Sequence, residues 1–184
     1  MPIRSGMDAD AQYTIYVSMD VYDCKGEIRM KLIGLEEHWC PRELFEKEGT
    51  PGHKSMELVR MIQSPEQYEN TCRVVSDIGE GRIQMMDAVG LSMQFLSLCN
   101  ADMETLPENE AVHYAKISND ILAKGIKKNP DRFRGFAALP TPNPTEAAKE
   151  LERCAKMEGF VGAVINGHIN GHYLDEPQFE PILE

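Results

Sequence analysis

Four short apolar runs constrain this chain more than anything else in it: MKLIGLE (30–36), LSMQFLSL (91–98), RFRGFAALP (132–140) and FVGAVING (160–167). None alternates cleanly between apolar and polar residues, which is how strands buried on both faces of a parallel sheet read. Neighbouring parallel strands cannot be joined by a tight turn. Each pair needs a crossover, usually a helix, and the crossover is nearly always right-handed.

The segments between the runs supply those helices. In PENEAVHYAKISNDILAKGIKKNP, Ala111, Ala115, Leu122 and Ile126 recur at helical spacing. Lys124, Lys127 and Lys128 complement the helix dipole there, and Asn129-Pro130 stops the helix. In TPNPTEAAKELERCAKMEGF, Asn143 is placed to cap, Pro144 suits the first helical position, and Glu146 stands where a capping-box carboxylate belongs. Ala148, Leu151 and Ala155 form the expected buried stripe, and Gly159 suits a left-handed ending. RIQMMDAVG reads as a helix just before the second run. The order predicts an α/β architecture of repeated βα units.

The excursion from Cys40 to about Gly79 is long for a βα loop. It carries the helical patterns HKSMELVRMI and SPEQYENTCRVV, so it either helps to build a site or decorates the surface. Residues 1–29 stand apart from residues 30–184. Tyr13, Ile15, Val17 and Met19 alternate with Thr14, Tyr16 and Ser18, and Lys25-Gly26 offers a turn, which suits a β-hairpin leading into the first run. The alternative is that Met30 is the natural start and residues 1–29 are an upstream extension.

A net charge of -11 with no dense Lys/Arg block sets the chain against phosphate backbones, so no nucleic-acid partner is expected. No stretch approaches the roughly 18 uninterrupted apolar residues of a membrane span. The opening MPIRSGMDADAQY lacks the apolar core of a secretory signal. Cys24, Cys40, Cys72, Cys99 and Cys154 are scattered and form no CxxC pair, which favours reduced thiols and a cytoplasmic protein.

At the end of the first run, LIGLEEHW sets Glu36, Glu37 and His38 before Trp39. In a regular strand, residues two apart share a face, so Glu36 and His38 can converge on one ion while Glu37 points away. A carboxylate oxygen and a neutral imidazole nitrogen suit a divalent metal. Alone, the same pattern is also the polar tip of a strand meeting water.

Taken together, LIGLEEHW, RIQMMDAVGLSMQFLSL, SNDILAKGIKKNPDRFRGFAALPTPNPTEAAKELERC and GFVGAVINGHINGHYLDEPQFEPILE resemble the metal-dependent decarboxylase branch of the amidohydrolase superfamily, from about Met30 to Glu184. The resemblance implies a TIM-type (β/α)8 barrel, of which this chain supplies the N-terminal portion, about four βα units, behind the hairpin. It also implies a divalent metal, zinc with manganese or magnesium as alternatives, and no organic cofactor. Glu36 and His38 fall on the positions of the metal-ligating pair at the end of the first barrel strand. The implied substrate is a small hydroxylated aromatic carboxylate that loses carbon dioxide. The family's later residues, a His ending the fifth strand, a His after the sixth and an Asp after the eighth, have no counterpart before Glu184. On this reading the chain is a truncated form that binds metal poorly and turns over little alone. A closed barrel takes about 250 residues, and a half-barrel leaves open edges and an apolar face, so a homo-oligomer is expected. Two alternatives remain: a hydrolase of the same superfamily acting on a lactone or C–N bond, and a non-catalytic half-barrel serving as an interaction module.

Other residues carry weaker signals. NGHINGHY places His168 and His172 four apart, but its Gly and Asn residues favour a loop; relatives carry NGH near the substrate pocket, which makes Asn166 and His168 candidate substrate-binding residues. Trp39 either walls the substrate or fills the barrel end. Ser97, Cys99 and Asn100 follow the second run and face the mouth, with Cys99 read as a buried thiol. Phe133, Phe136, Met85, Met86 and Met93 read as core, and His53 and His113 as surface or packing residues.

Overall fold

A computed structural model of the chain describes residues 16–22, 28–48, 50–98 and 103–184. Its sheet has five strands in sequence order: β1 (Tyr16–Tyr22), β2 (Ile28–Trp39), β3 (Leu91–Leu98), β4 (Phe133–Ala138) and β5 (Phe160–Val164). β2 to β5 run parallel, as the unbroken apolar runs require. β1 pairs antiparallel with β2, Tyr16 opposite Gly34 and Tyr22 opposite Ile28. The two arms of the expected hairpin are therefore present, while its Lys25-Gly26 turn and residues 13–15 lie outside the described residues.

The excursion after β2 holds α1 (Arg42–Phe45), α2 (Pro51–Ile62) and α3 (Pro65–Ser76). Thr50 caps α2 by accepting from the amide of His53. α3 opens with a reciprocal capping box between Ser64 and Gln67. These short helices have a core of their own, in which Leu44, Phe45, Met56 and Cys72 pack with Met103, Leu106, Ala111 and Tyr114. The crossovers that follow are α4 (Glu80–Ala88), α5 (Glu108–Lys128) and α6 (Pro144–Ala155), with a terminal α7 (Glu180–Leu183). Among the described residues, no helix is long and apolar enough to cross a membrane.

The main core lies between β2–β4 and helices α4 and α5, where Trp39, Met86, Leu91, Leu96, Leu122, Ile126 and Phe133 are buried together. β4 can come this close to α5 because Gly135 lacks a side chain. A Cβ there would stand 2.8 Å from Leu122 and 2.9 Å from Ile126. The opposite face of the sheet carries Phe95 and Phe136, ring centroids 6.1 Å apart. Phe136 is thus not part of the helix-side core, and Met85 is 39% exposed.

The sequence placed the stripe of α6 one residue off. Ala147, Glu150 and Cys154 are buried rather than Ala148 and Ala155. The helix is rolled so that Glu150 meets Asn119, whose Nδ2 donates to Glu150 Oε1 at 2.8 Å. The capping box of α6 is also only half made. Asn143 accepts from the amide of Glu146, but its own amide donates to Pro140, and the Glu146 carboxylate takes Lys149 instead.

Asn119, 1% exposed, also donates to the Ala138 carbonyl and accepts from the Ala138 amide, both at 2.9 Å. One side chain thereby joins α5, the end of β4 and α6. Asn119→Ala leaves buried partners unsatisfied and is expected to cost about 2–4 kcal/mol in a denaturant titration; a loss under about 0.5 kcal/mol would disprove that linking role. Burial pushes the Glu150 carboxyl up, but hydrogen bonds from Arg153 and Asn119 outweigh it and hold the group below its ordinary 4.5. A depressed folded-state value adds stability that is complete above 4.5 and is lost as pH falls through the folded value. Glu150→Gln is therefore expected to flatten the acid limb of the stability curve, read as melting midpoint against pH.

Candidate metal centre at the carboxyl end of the sheet

β2 ends in Glu36, Glu37, His38 and Trp39. The ladder is irregular just before them. Between the paired positions Gly34–Gln94 and Glu37–Leu96, β2 advances three residues while β3 advances two. The surplus residue is a bulge at Leu35–Glu36, a device that re-aims side chains. It turns Gly34 and Glu37 to the same side, the helix side, although they are three apart. Gly34 makes room there, since a Cβ would lie 2.5 Å from Glu37 Oε1.

After the bulge the register is regular, with His38 opposite Ser97. Ser97 Oγ lies 3.3 Å from His38 Nδ1. A cation at Nε2 requires the ring proton on Nδ1, and the Ser97 oxygen is the acceptor for that proton. Glu36 is solvent-exposed and His38 half-buried. A carboxylate and an oriented imidazole, two residues apart at a strand end, fit a divalent cation as part of a ligand set. Among the described residues, no cluster of three or more His, Cys, Asp or Glu side chains is arranged to hold a metal, so the pair is a partial set.

Glu37 points the other way, as the alternation predicts, to the helix side, where it and Arg82 line one cavity. Trp39, 1% exposed, packs with Met86, Leu122 and Ile126 beneath the helices. It fills the helix-side core and does not wall the mouth.

A second group forms at the ends of β3 and β5. Glu104, 7% exposed, accepts from the Asn166 amide at 3.1 Å and from Asn166 Nδ2 at 3.3 Å. Asn166 thus stands at the carboxyl end of the sheet, pinned by a residue that no spacing rule singled out. His168 is exposed, its Nδ1 accepting from the Gly171 amide at 3.3 Å. His172 Nδ1 pairs with Glu176 Oε2 at 2.9 Å. The two imidazoles turn to different partners, in a loop closed by an Ile169–His172 bridge with Asn170 and Gly171 at positive φ. Cys99 and Asn100 lie outside the described residues.

Residues 76–184 match the amidohydrolase family model. The γ-resorcylate decarboxylase of Rhodococcus jostii is 37% identical over an alignment of 161 residues that covers 81% of this chain and 45% of that protein. The 5-carboxyvanillate decarboxylase of Novosphingobium aromaticivorans, solved with manganese and 4-hydroxy-3-methoxy-5-nitrobenzoic acid, superposes with a TM-score of 0.69 at 32% identity, covering 82% of this chain and 46% of that one. A dihydroxybenzoic acid decarboxylase from a Polaromonas species, solved with manganese and 2-nitroresorcinol, gives 0.67 at 34% identity, covering 82% and 44%. The chain spans about half the length of these relatives, and its four parallel strands correspond to the first half of their barrels.

Ser97→Ala removes the hydroxyl that hydrogen-bonds with the His38 ring. It is expected to weaken divalent-metal binding about tenfold with an unchanged circular dichroism spectrum. Equal affinity in the variant would mean that the His38 ring is held in some other way.

Proposed function

The chain belongs to the amidohydrolase family, and from that premise we propose that Glu36 and His38 are the first ligands of a divalent-metal site serving the decarboxylation of a small hydroxylated aromatic acid. The observation that carries this reading is the Glu-x-His pair at the carboxyl end of the first parallel strand, with His38 already oriented by Ser97. In α/β barrels, groups at that end of the strands form the active site. The aromatic acid decarboxylases with manganese among the structural neighbours support both the metal class and the substrate class.

When bound, a divalent cation supplies Lewis acidity and a template for the substrate's carboxylate and adjacent oxygen. Glu36 contributes anionic charge to that site, and His38 a neutral nitrogen. Ser97 holds the ring proton on Nδ1. Glu104 fixes the backbone and amide of Asn166, so that the rim of the mouth keeps one shape for the aromatic ring. Manganese is the metal to try first, with zinc beside it. Because the chain spans about half of its relatives, turnover is proposed for the complete barrel, and ligand binding for these residues.

The test is relaxation of the ring protons of 2,6-dihydroxybenzoate by manganese in the presence of the chain. The chain should broaden these signals beyond manganese alone, and Glu36→Ala with His38→Ala should abolish the excess. Equal broadening by the double variant would remove Glu36 and His38 from the site.

A further inference from the structure

Arg82 is a side chain whose use the site above does not explain. It is 5% exposed, in the first turn of α4, behind the sheet from the open face. Gly79, at the N-cap of α4, has no side chain to cap with, so Asp77 does the capping: Oδ1 accepts from the Gly79 amide at 2.7 Å and Oδ2 from the Arg82 amide at 3.0 Å. That seats Arg82 with its guanidinium directed back between α3 and β2.

A guanidinium removed from water must satisfy its donors on protein atoms. Nε donates to the Asp77 carbonyl at 2.5 Å, and Nη2 to the carbonyls of Val74 and His38, both at 3.1 Å. Nη1 donates to Gln94 Oε1 at 3.3 Å. Val74 lies in the last turn of α3, whose carbonyls have no helical partner. Glu37 supplies the neighbouring opposite charge. A cavity of about 240 Å³ adjoins this cluster, lined by Glu37, Arg82 and Gln94 among apolar side chains of α3 and α4.

We infer that Arg82 is a positioning residue for the metal-ligand pair: from the helix side it fixes the main chain of His38, and with it the direction in which Glu36 and His38 present their ligand atoms. His38 is held at two points, its ring by Ser97 on the open face and its carbonyl by Arg82 on the other. Two anchors on opposite sides of a strand define the pose of the ring, where either alone leaves a hinge. This inference rests on the reading of Glu36 and His38 as ligands.

The experiment compares manganese affinity, from the electron paramagnetic resonance signal of the free ion, with the thermal midpoint of the same samples. The decisive variant is Arg82→Met with Glu37→Gln, which removes the buried guanidinium together with the nearby carboxylate whose charge favours it; the adjoining cavity gives water room to solvate what remains. The paired variant is expected to fold, with a cooperative melt, and to bind manganese about 10–100-fold more weakly, the range for losing an outer-layer partner of a metal ligand. Arg82→Lys is expected to rescue little, because an ammonium cannot span the same separated carbonyls as the guanidinium fork. A folded paired variant with affinity within about twofold of the parent, below that same range, overturns the inference and leaves Arg82 a purely structural residue. Glu36→Ala with His38→Ala is the control. If it also keeps full affinity, the ligand reading has failed, and the positioning role with it.

Discussion

A guanidinium sealed from water has to meet its hydrogen-bond demand inside the protein, and Arg82 meets it on three carbonyls from separate parts of the backbone. Those carbonyls belong to the end of β2, the last turn of α3 and the link between α3 and α4. That charge behind the sheet ties the long excursion to the strand it departs from, beside the Cys40 amide, which donates to the Val75 carbonyl at 3.0 Å. The negative charges of Glu37 and Asp77 offset part of the cost of burying the guanidinium. The core then closes over the arrangement, with Met86 from the same helix packing on Trp39.

Much of the framework was legible because it rests on local periodicity. Apolar runs without alternation marked the parallel strands; α5 and α6 were readable from spacing and end signals, and α4 from a helical pattern alone. Asn129-Pro130 stops α5 where expected, and Gly159 takes the left-handed conformation, although it does so three residues beyond the cap of α6 and beneath Ile126. What escaped was fixed by distant partners. α6 reads as burying Ala148 and Ala155, yet it rolls onto Glu150, because Asn119, from 31 residues earlier, offers a hydrogen bond there. A hydrophobic pattern cannot record a buried carboxylate whose partner lies on another helix.

The same distinction runs through the candidate site. Glu36 and His38 were readable as a pair from strand alternation and from resemblance, but the bulge between Gly34 and Glu37 leaves no mark in a single sequence. Ser97 and Arg82 touch His38 across 59 and 44 residues. Glu104, which pins Asn166 across 62, sits in a segment with no motif. For Trp39 the sequence left two places open, the wall of the mouth or the filling of the barrel end. Adjacency to a ligand in sequence suggested the first, but a strand sends neighbouring residues to opposite faces, and Trp39 is buried with Met86 and Leu122.

That placement of Trp39 has an optical consequence. It is the chain's single tryptophan, so the indole emission of the protein arises from one spot, the residue after His38, sealed between the sheet and helices α4 and α5. Burial among apolar side chains shifts such emission to the blue, and contact with water moves it to the red. The chain therefore carries a built-in fluorophore whose colour reads the seating of α4 on the strand that bears Glu36 and His38, with no label attached.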